Sequence, residues 1–187
     1  NAVDVPVEDQ WDTLRPLFQQ EGPLACFLQQ HGPHRLGLGG LVNWYLYNAT
    51  GWDVRAESWA TLVSLTLAAG VAVGLAVRLR GRLSWSDAAF PLLILSPIQW
   101  ETMLLTPFLA HSILPLLLTL LLALAWTIET PGWRVLSVGV TGGVALFTGF
   151  GLCGAAASGG LALLLWLRPA APAGTTRRQA TWLLALT

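Results

Sequence analysis

The sequence predicts an all-α protein: a polytopic transmembrane helix bundle with an outer loop that carries amphipathic helices. Of its 187 residues, 54% are hydrophobic and 11% are charged, whereas soluble domains carry about 25% charged residues. Long uncharged stretches alternate with short polar ones. The formal net charge is zero and there is no basic run, which argues against a nucleic-acid partner. Composition therefore favours an integral membrane protein over a soluble enzyme.

Charge divides the chain into two parts. Residues 1–57 carry a net charge of −4, and residues 58–187 carry +4. We interpret residues 1–57 as an extracytoplasmic loop and residues 58–187 as the bundle. Within the loop, residues 8–20 and 35–47 space their apolar side chains as amphipathic helices do. Such helices are expected to lie on the membrane surface.

The uncharged stretches predict the membrane spans and their orientation. Spans of roughly 20 residues are expected at 58–77, 87–107, 111–128, 135–150 and 153–167, with the start of another at 180–187. A hydroxyl and an acid in Ser84–Asp87 resemble a helix-start motif ahead of the second span. The positive-inside rule places the cluster of Arg78, Arg80 and Arg82 in the cytoplasm and residues 1–57 outside.

The stretch 135–167 is uncharged over 33 residues, or about 50 Å as one helix, which exceeds an ordinary crossing. The glycines of Gly149–Gly154 predict a break, so we expect two short spans joined by an outer turn. All ten basic residues are Arg, which together with many Ala, Gly and Leu suggests a bacterial inner-membrane protein. The chain starts at Asn1 and ends in an apolar stretch, so we expect a fragment of a longer protein.

Two polar clusters in the outer loop are candidates for chemistry. The first places the carboxylates of Glu8, Asp9 and Asp12 within five positions. Carboxylates at this density serve as a general base or hold a divalent cation, here through Asp9 and Asp12. The second cluster is His31, His34 and Arg35. Its guanidinium and imidazoles suit a phosphate. The alternative is that both clusters are solvated loop residues.

A third polar feature lies inside a predicted span. Glu101 is the only charged residue between Asp87 and Glu129, and an ionisable group within the membrane faces a cavity or a partner. Helical rise places Glu101 in the outer half of the span, close to the level of Gln99 and His111. We therefore expect the loop clusters and these polar groups to meet on the outer face. The alternative is that Glu101 forms an ion pair with Arg35 or His111 that serves only the structure.

Three motifs resemble those of a broad set of bacterial polytopic membrane proteins. The stretches are Asp9–Asp12, Gln30–Arg35 and Gln99–Pro107, against D-Q-W-[DE], Q-H-N-E-H-R and Q-W-E-N-x-L-W-G in that set. Gly32-Pro33 replaces the N-E of the second motif, and Thr102 with Leu105-Thr106 replaces the N and W-G of the third. The layout is also similar to GT-C-type glycosyltransferases, in which an acidic motif follows the first membrane helix.

The resemblance implies transfer of a sugar from a polyprenyl-phosphate donor to an acceptor hydroxyl at the outer membrane face. It implies that Asp9, helped by Glu8 or Asp12, deprotonates the acceptor or positions a metal. The resemblance gives His31, His34 and Arg35 the task of neutralising the departing phosphate. It also implies that Glu101 orients the loop cluster or the acceptor, and that a groove between spans holds the membrane lipid tail.

Two other function classes remain open at this stage. Glu101, His111 and the glycine-broken hairpin at 149–154 fit an ion or proton path in a secondary transporter or channel. A non-catalytic membrane scaffold fits the same composition without any role for the acidic residues.

Overall fold

The computed structural model describes residues 10–32, 34–100, 103 and 109–167. Its regular structure is helical apart from one short antiparallel pair of strands, β1 (Gln30–His31) and β2 (His34–Arg35). The all-α prediction is therefore confirmed. The α-helices are Gln10–Thr13 (α1), Arg15–Phe18 (α2), Pro23–Leu28 (α3), Leu38–Thr50 (α4), Arg55–Arg80 (α5), Ala89–Ile94 (α6), Leu114–Trp126 (α7), Pro131–Ala145 (α8) and Gly151–Leu167 (α9).

Four long helices form a bundle in which α5, α7 and α9 run in one direction and α8 runs in the opposite direction. A π turn, Leu109–Ile113, leads into α7, and its Leu109 and Ile113 pack against Leu65 of α5. At the far end of the same pair, the Nη2 of Arg78 donates to the carbonyl oxygen of Thr127 at 3.2 Å. Helices α7, α8 and α9 share a core of Leu122, Ala125, Val138 and Ala162. We call the Leu109 end of this bundle the outer end and the Thr127 end the inner end.

Two helical segments are long and apolar enough to cross a membrane. They are Arg55–Arg80, which contains an 18-residue window of mean hydropathy 2.1, and Leu109–Trp126, with mean hydropathy 2.0. They coincide with the spans predicted at 58–77 and 111–128. Among the described residues, Gly151–Leu164 is a shorter apolar helix. The other crossings of a polytopic bundle stay a prediction.

The predicted break between residues 135 and 167 is confirmed, with shifted bounds. Helix α8 ends at Ala145 and α9 starts at Gly151. A Cβ atom at Gly151 would lie 1.8 Å from the carbonyl oxygen of Ala145, so this tight connection requires a residue without a side chain. The two helices therefore form a hairpin that turns at the outer end.

The structure does not show one continuous helix over the described part of 87–107, where a single span is expected. There, α6 ends at Ile94, and a 3₁₀ turn follows over Pro97–Gln99. Ser96 is extended, with ψ of 130°, because a residue before proline avoids the helical region. The described part is thus two short helical segments. The helix-start motif is observed as a capping box between Ser84 and Asp87.

The outer segment, residues 10–50, packs on the outer end of the bundle. Leu38 N donates to the carbonyl oxygen of Phe147 at 2.7 Å, and the ring of Phe27 lies 5.3 Å from that of Phe147. The helix expected over 8–20 is divided into α1 and α2, so its apolar residues do not share one face. Leu14 and Leu17 are buried, whereas Trp11 and Phe18 are exposed.

Candidate functional site

Asp12, His31 and His111 meet at the outer end of the bundle. The Nδ1 of His31 lies 3.1 Å from Oδ2 of Asp12. On its ring face, His31 stacks on His111 with centroids 5.8 Å apart and planes at 23°. Sequence analysis named all three residues as candidates. The structure thus brings together one residue from the acidic cluster, one from the histidine cluster and one from the bundle.

Three separate elements position this cluster. Asp12 lies on α1, and its main-chain carbonyl accepts a hydrogen bond from Nε2 of Gln29 at 3.2 Å. His31 lies on β1, where pairing with β2 fixes the hairpin. His111 lies on the π turn and is 9% exposed. A π turn inserts one extra residue into a helix and is frequent at functional sites.

Gly149 makes room for the His111 imidazole. A Cβ atom at position 149 would lie 2.8 Å from Cδ2 and 3.0 Å from Cα of His111. The main-chain N–H of Gly149 donates to Ala110 at 3.4 Å. The predicted glycine break therefore has a second consequence, because it lets the α8–α9 hairpin approach the histidine.

Arg15 completes the polar cluster and was not a candidate in the sequence analysis. Its Nη2 forms an ion pair with Oδ1 of Asp12, three positions earlier in the chain. The spacing of an acid and an arginine at i and i+3 is the signal that predicts such a pair. The Arg15 side chain is more than half exposed, so the guanidinium also faces solvent.

Arg35 and Gln99 lie apart from the cluster. In the strand pair, Arg35 is opposite Gln30, and His31 is opposite His34. Since side chains alternate between faces along a strand, Arg35 shares a face with Gln30 and not with His31. Gln99 instead donates through Nε2 to the carbonyl oxygen of Leu93 at 2.6 Å.

Several predicted site residues lie outside the described part of the chain. They are Glu8, Asp9 and Glu101, and the side chain of His34 lies outside it as well. The expected approach of Asp9 to Glu101 therefore stays a prediction. Among the described residues, no group of three or more His, Cys, Asp and Glu side chains is arranged to hold a metal ion.

A buried carboxylate joins the outer segment to α5. The hydroxyl of Tyr47 donates to Oε2 of Glu57 at 3.1 Å, and both residues are about 2% exposed. Glu57 belongs to the predicted outer loop, residues 1–57, and its burial is not predicted from the sequence. Spacing gives no signal for this contact, because α4 and α5 are separate helices that meet only in the folded protein.

Two ionisable groups, one in the outer segment and one just after it, have shifted pKa values. The hydrogen bond from Arg55 holds the pKa of Asp53 below its usual value. Burial raises the pKa of the Cys26 thiol, and the nearby carboxylate of Glu21 raises it further.

Comparisons with known proteins identify no relative. No family model matches the sequence, and no curated protein or solved structure matches it either. The site must therefore be interpreted from its own chemistry. A carboxylate that contacts an imidazole is the usual arrangement for moving a proton at neutral pH. An adjacent guanidinium suits an anionic group.

Proposed function

We propose that this protein is an integral membrane transferase of the GT-C type. It would move a sugar from a polyprenyl-phosphate donor to an acceptor hydroxyl at the extracytoplasmic face. The observation that supports this proposal best is the meeting of Asp12, His31 and His111 at the outer end of an apolar bundle. There, a membrane lipid carrying a phosphate headgroup and a water-borne acceptor can reach the same groups.

The distribution of polar and apolar side chains supports membrane insertion. Among the described residues of the four long helices, charged side chains lie near the two ends of the bundle. Apart from Thr66 and Thr119, the exposed side chains between the ends are mostly apolar. Examples are Leu62, Leu67, Val140 and Leu161. An exposed apolar band of this kind is covered by lipid. The described middle of the bundle holds no Asp, Glu, His, Lys or Arg.

The charges of the cluster suit each step of the proposed reaction. The acceptor oxygen forms a bond to the anomeric carbon, and the bond from that carbon to the phosphate oxygen breaks. The acceptor proton passes to the Asp12–His31 pair, and polyprenyl phosphate leaves with the electron pair of the broken bond. Arg15, on the exposed side of Asp12, stabilises the negative charge that develops on the phosphate. Asp9 and Glu101 remain proposed partners in the same step.

Transfer assays with the full-length protein in proteoliposomes test the reaction. The donors are polyprenyl phosphates that carry radiolabelled glucose, mannose or N-acetylglucosamine, offered with oligosaccharide acceptors. We expect Asp12→Asn to lower transfer by about a hundredfold, the size of a typical acid–base contribution. The matched control is Asp53→Asn, which changes another outer carboxylate that is paired with an arginine. Equal transfer by both variants contradicts the role assigned to Asp12, whereas absence of transfer by the wild type favours a non-catalytic scaffold.

Cysteine labelling tests the orientation independently of activity. In a background with Cys26→Ala and Cys153→Ala, a single cysteine is placed at the exposed outer position by Asn48→Cys or the exposed inner position by Leu83→Cys. A membrane-impermeant maleimide added to intact cells is expected to modify Asn48→Cys alone. Permeabilised cells should show modification of both. Labelling of both positions in intact cells contradicts a membrane between the two ends.

A further inference from the structure

A cavity in the outer segment combines aromatic faces with hydrogen-bonding groups. Its volume is about 550 Å³, within the roughly 300–1,000 Å³ typical of ligand pockets. It lies between the turn after α2 and the C-terminal half of α4. The lining includes Phe18, Trp44 and Trp52, and the polar Gln20, Glu21 and Asn48.

The aromatic side of this cavity is part of a continuous ring stack. Phe18 lies between Trp11, at a centroid distance of 5.3 Å, and Trp52, at 5.1 Å. The Phe18 and Trp52 planes differ by only 14°. Trp52 in turn contacts Tyr47 at 5.3 Å. The stack holds the two rings that border the cavity, although Phe18 and Trp52 are each about 42% exposed.

Backbone strain is concentrated at the same cavity. Among the described residues, Gln20 and Trp52 are the non-glycine residues with positive φ, at 56° and 75°. Both line the cavity. Such a conformation is strained for a residue with a side chain and is often found at active sites and ligand clamps. The Trp52 indole is thus held at the cavity by its contacts with Phe18 and Tyr47, in a backbone conformation where glycine is preferred.

We propose that this cavity is a binding site for an uncharged saccharide unit. The C–H groups of a pyranose ring carry partial positive charge and pack on the negative faces of aromatic rings. Trp11 and Trp52 cover the faces of Phe18, so the stacking surface offered to a sugar is the exposed part of the Trp52 indole. Sugar hydroxyls need acceptors and donors, which the Glu21 carboxylate and the Gln20 and Asn48 amides supply. Asn48 donates through Nδ2 to the carbonyl oxygen of Trp44 at 2.6 Å, so its amide is held in a fixed orientation.

The charge of the cavity argues against an anionic ligand. No Lys, Arg or His is among the described residues that line it, and Glu21 adds a negative charge. A phosphate or an acidic sugar would therefore be repelled. The site suits the neutral part of an acceptor glycan, and its binding is measurable apart from transfer. Failure of the transferase proposal therefore leaves this proposal intact.

Saturation-transfer NMR with the full-length protein in nanodiscs tests the site. The probes are methyl glycosides of glucose, galactose, mannose and N-acetylglucosamine. We expect saturation transfer to the ring protons of at least one glycoside. Trp52→Gly removes the indole while glycine keeps the positive φ, and it should weaken that binding by about tenfold. Glu21→Gln should weaken it as well. The matched control, Trp85→Ala, removes an indole at the inner end and should bind as the wild type does.

Three results overturn the proposal. The first is absence of saturation transfer from the wild type to every glycoside. The second is equal binding by the wild type and Trp52→Gly. The third is stronger quenching of the wild type than of Trp52→Gly by brominated phospholipids, because the indole would then be buried in lipid.

Discussion

The imidazole of His31 stacks on the imidazole of His111 and so joins the β1–β2 hairpin to the helix bundle. Their centroids are 5.8 Å apart, and Asp12 contacts the Nδ1 of His31 at 3.1 Å. The two histidines belong to segments that are far apart in sequence, so their contact reports on the docking of the outer segment. Any change that displaces His111 should therefore disturb both stability and the polar cluster.

Gly149→Ala tests the position of His111. The added Cβ would lie 2.8 Å from the imidazole Cδ2, and overpacking of this kind costs about 1–3 kcal/mol. We expect a lower melting temperature in circular-dichroism scans and shifted His111 imidazole signals in NMR spectra. The control is Gly143→Ala, because nothing lies within 4 Å of a Cβ at that position. Equal melting of the two variants would show that the glycine at 149 is not required for space.

Removal of the Tyr47 hydroxyl tests the link between the outer segment and α5. Tyr47→Phe leaves the buried Glu57 carboxylate without that donor, so we expect a loss of about 1–3 kcal/mol in the free energy of unfolding. Tyr45→Phe changes the same residue type on the same helix, where the side chain is 66% exposed. It should be nearly neutral. Chemical denaturation of both variants measures the difference, and an equal loss in both would contradict a specific hydrogen bond.

The helices could be predicted from the sequence better than the site could. Uncharged stretches predict α5 and α7 because burial in lipid or core requires apolar side chains, and Gly149–Gly154 predicts the break before α9. The division of residues 10–18 into α1 and α2 was missed. Pro16 lies in the first turn of α2 and cannot donate a main-chain hydrogen bond to the preceding turn. The apolar periodicity of residues 8–20 predicts a single helix there, and Pro16 interrupts it.

Site residues are harder to predict because their contacts cross between elements. Asp12 and His31 are predicted because each lies in a cluster of polar residues along the sequence. His111 is predicted because helical rise places it at the outer level of the bundle. The same reasoning grouped Arg35 with His31, although strand alternation puts them on opposite faces. The ion pair of Arg15 with Asp12 is local and visible at i and i+3. The burial of Glu57 depends on how α4 meets α5, which no spacing rule contains.

The raised pKa of Cys26 predicts a pH dependence of stability. The folded protein holds the thiol proton to a higher pH than the unfolded chain, whose thiol pKa is about 8.5. Below that pH the thiol is protonated in both the folded and the unfolded state, so its titration does not change the free energy of unfolding. The free energy should fall as pH rises from there through the raised pKa of the folded state. Cys26→Ala should flatten this dependence in denaturation curves between pH 7 and pH 10.

Cys153→Ala is the control for Cys26→Ala, because Cys153 is exposed whereas Cys26 is buried. It should retain the slope of the wild type. The same slope in all three proteins would show that Cys26 does not titrate differently on folding.

Two ion pairs at the inner end predict unequal effects on stability. Asp87 forms an ion pair with Arg80, its side chain is only 4% exposed, and its Oδ2 accepts from Ser84 N at 2.8 Å. Asp87→Ala removes both interactions and leaves the capping box incomplete, so we expect a loss of about 2–4 kcal/mol. Glu129 lies 3.3 Å from Arg78 but is 91% exposed.

Glu129→Ala is the matched control, since an exposed pair contributes only about 0–1 kcal/mol. Thermal unfolding of both variants, at low salt and in about 0.5 M NaCl, separates the two cases. Added salt should reduce the small effect of Glu129→Ala through screening and leave that of Asp87→Ala nearly unchanged. If salt removes the Asp87→Ala effect, the carboxylate is solvated and the turn that precedes α6 does not depend on it.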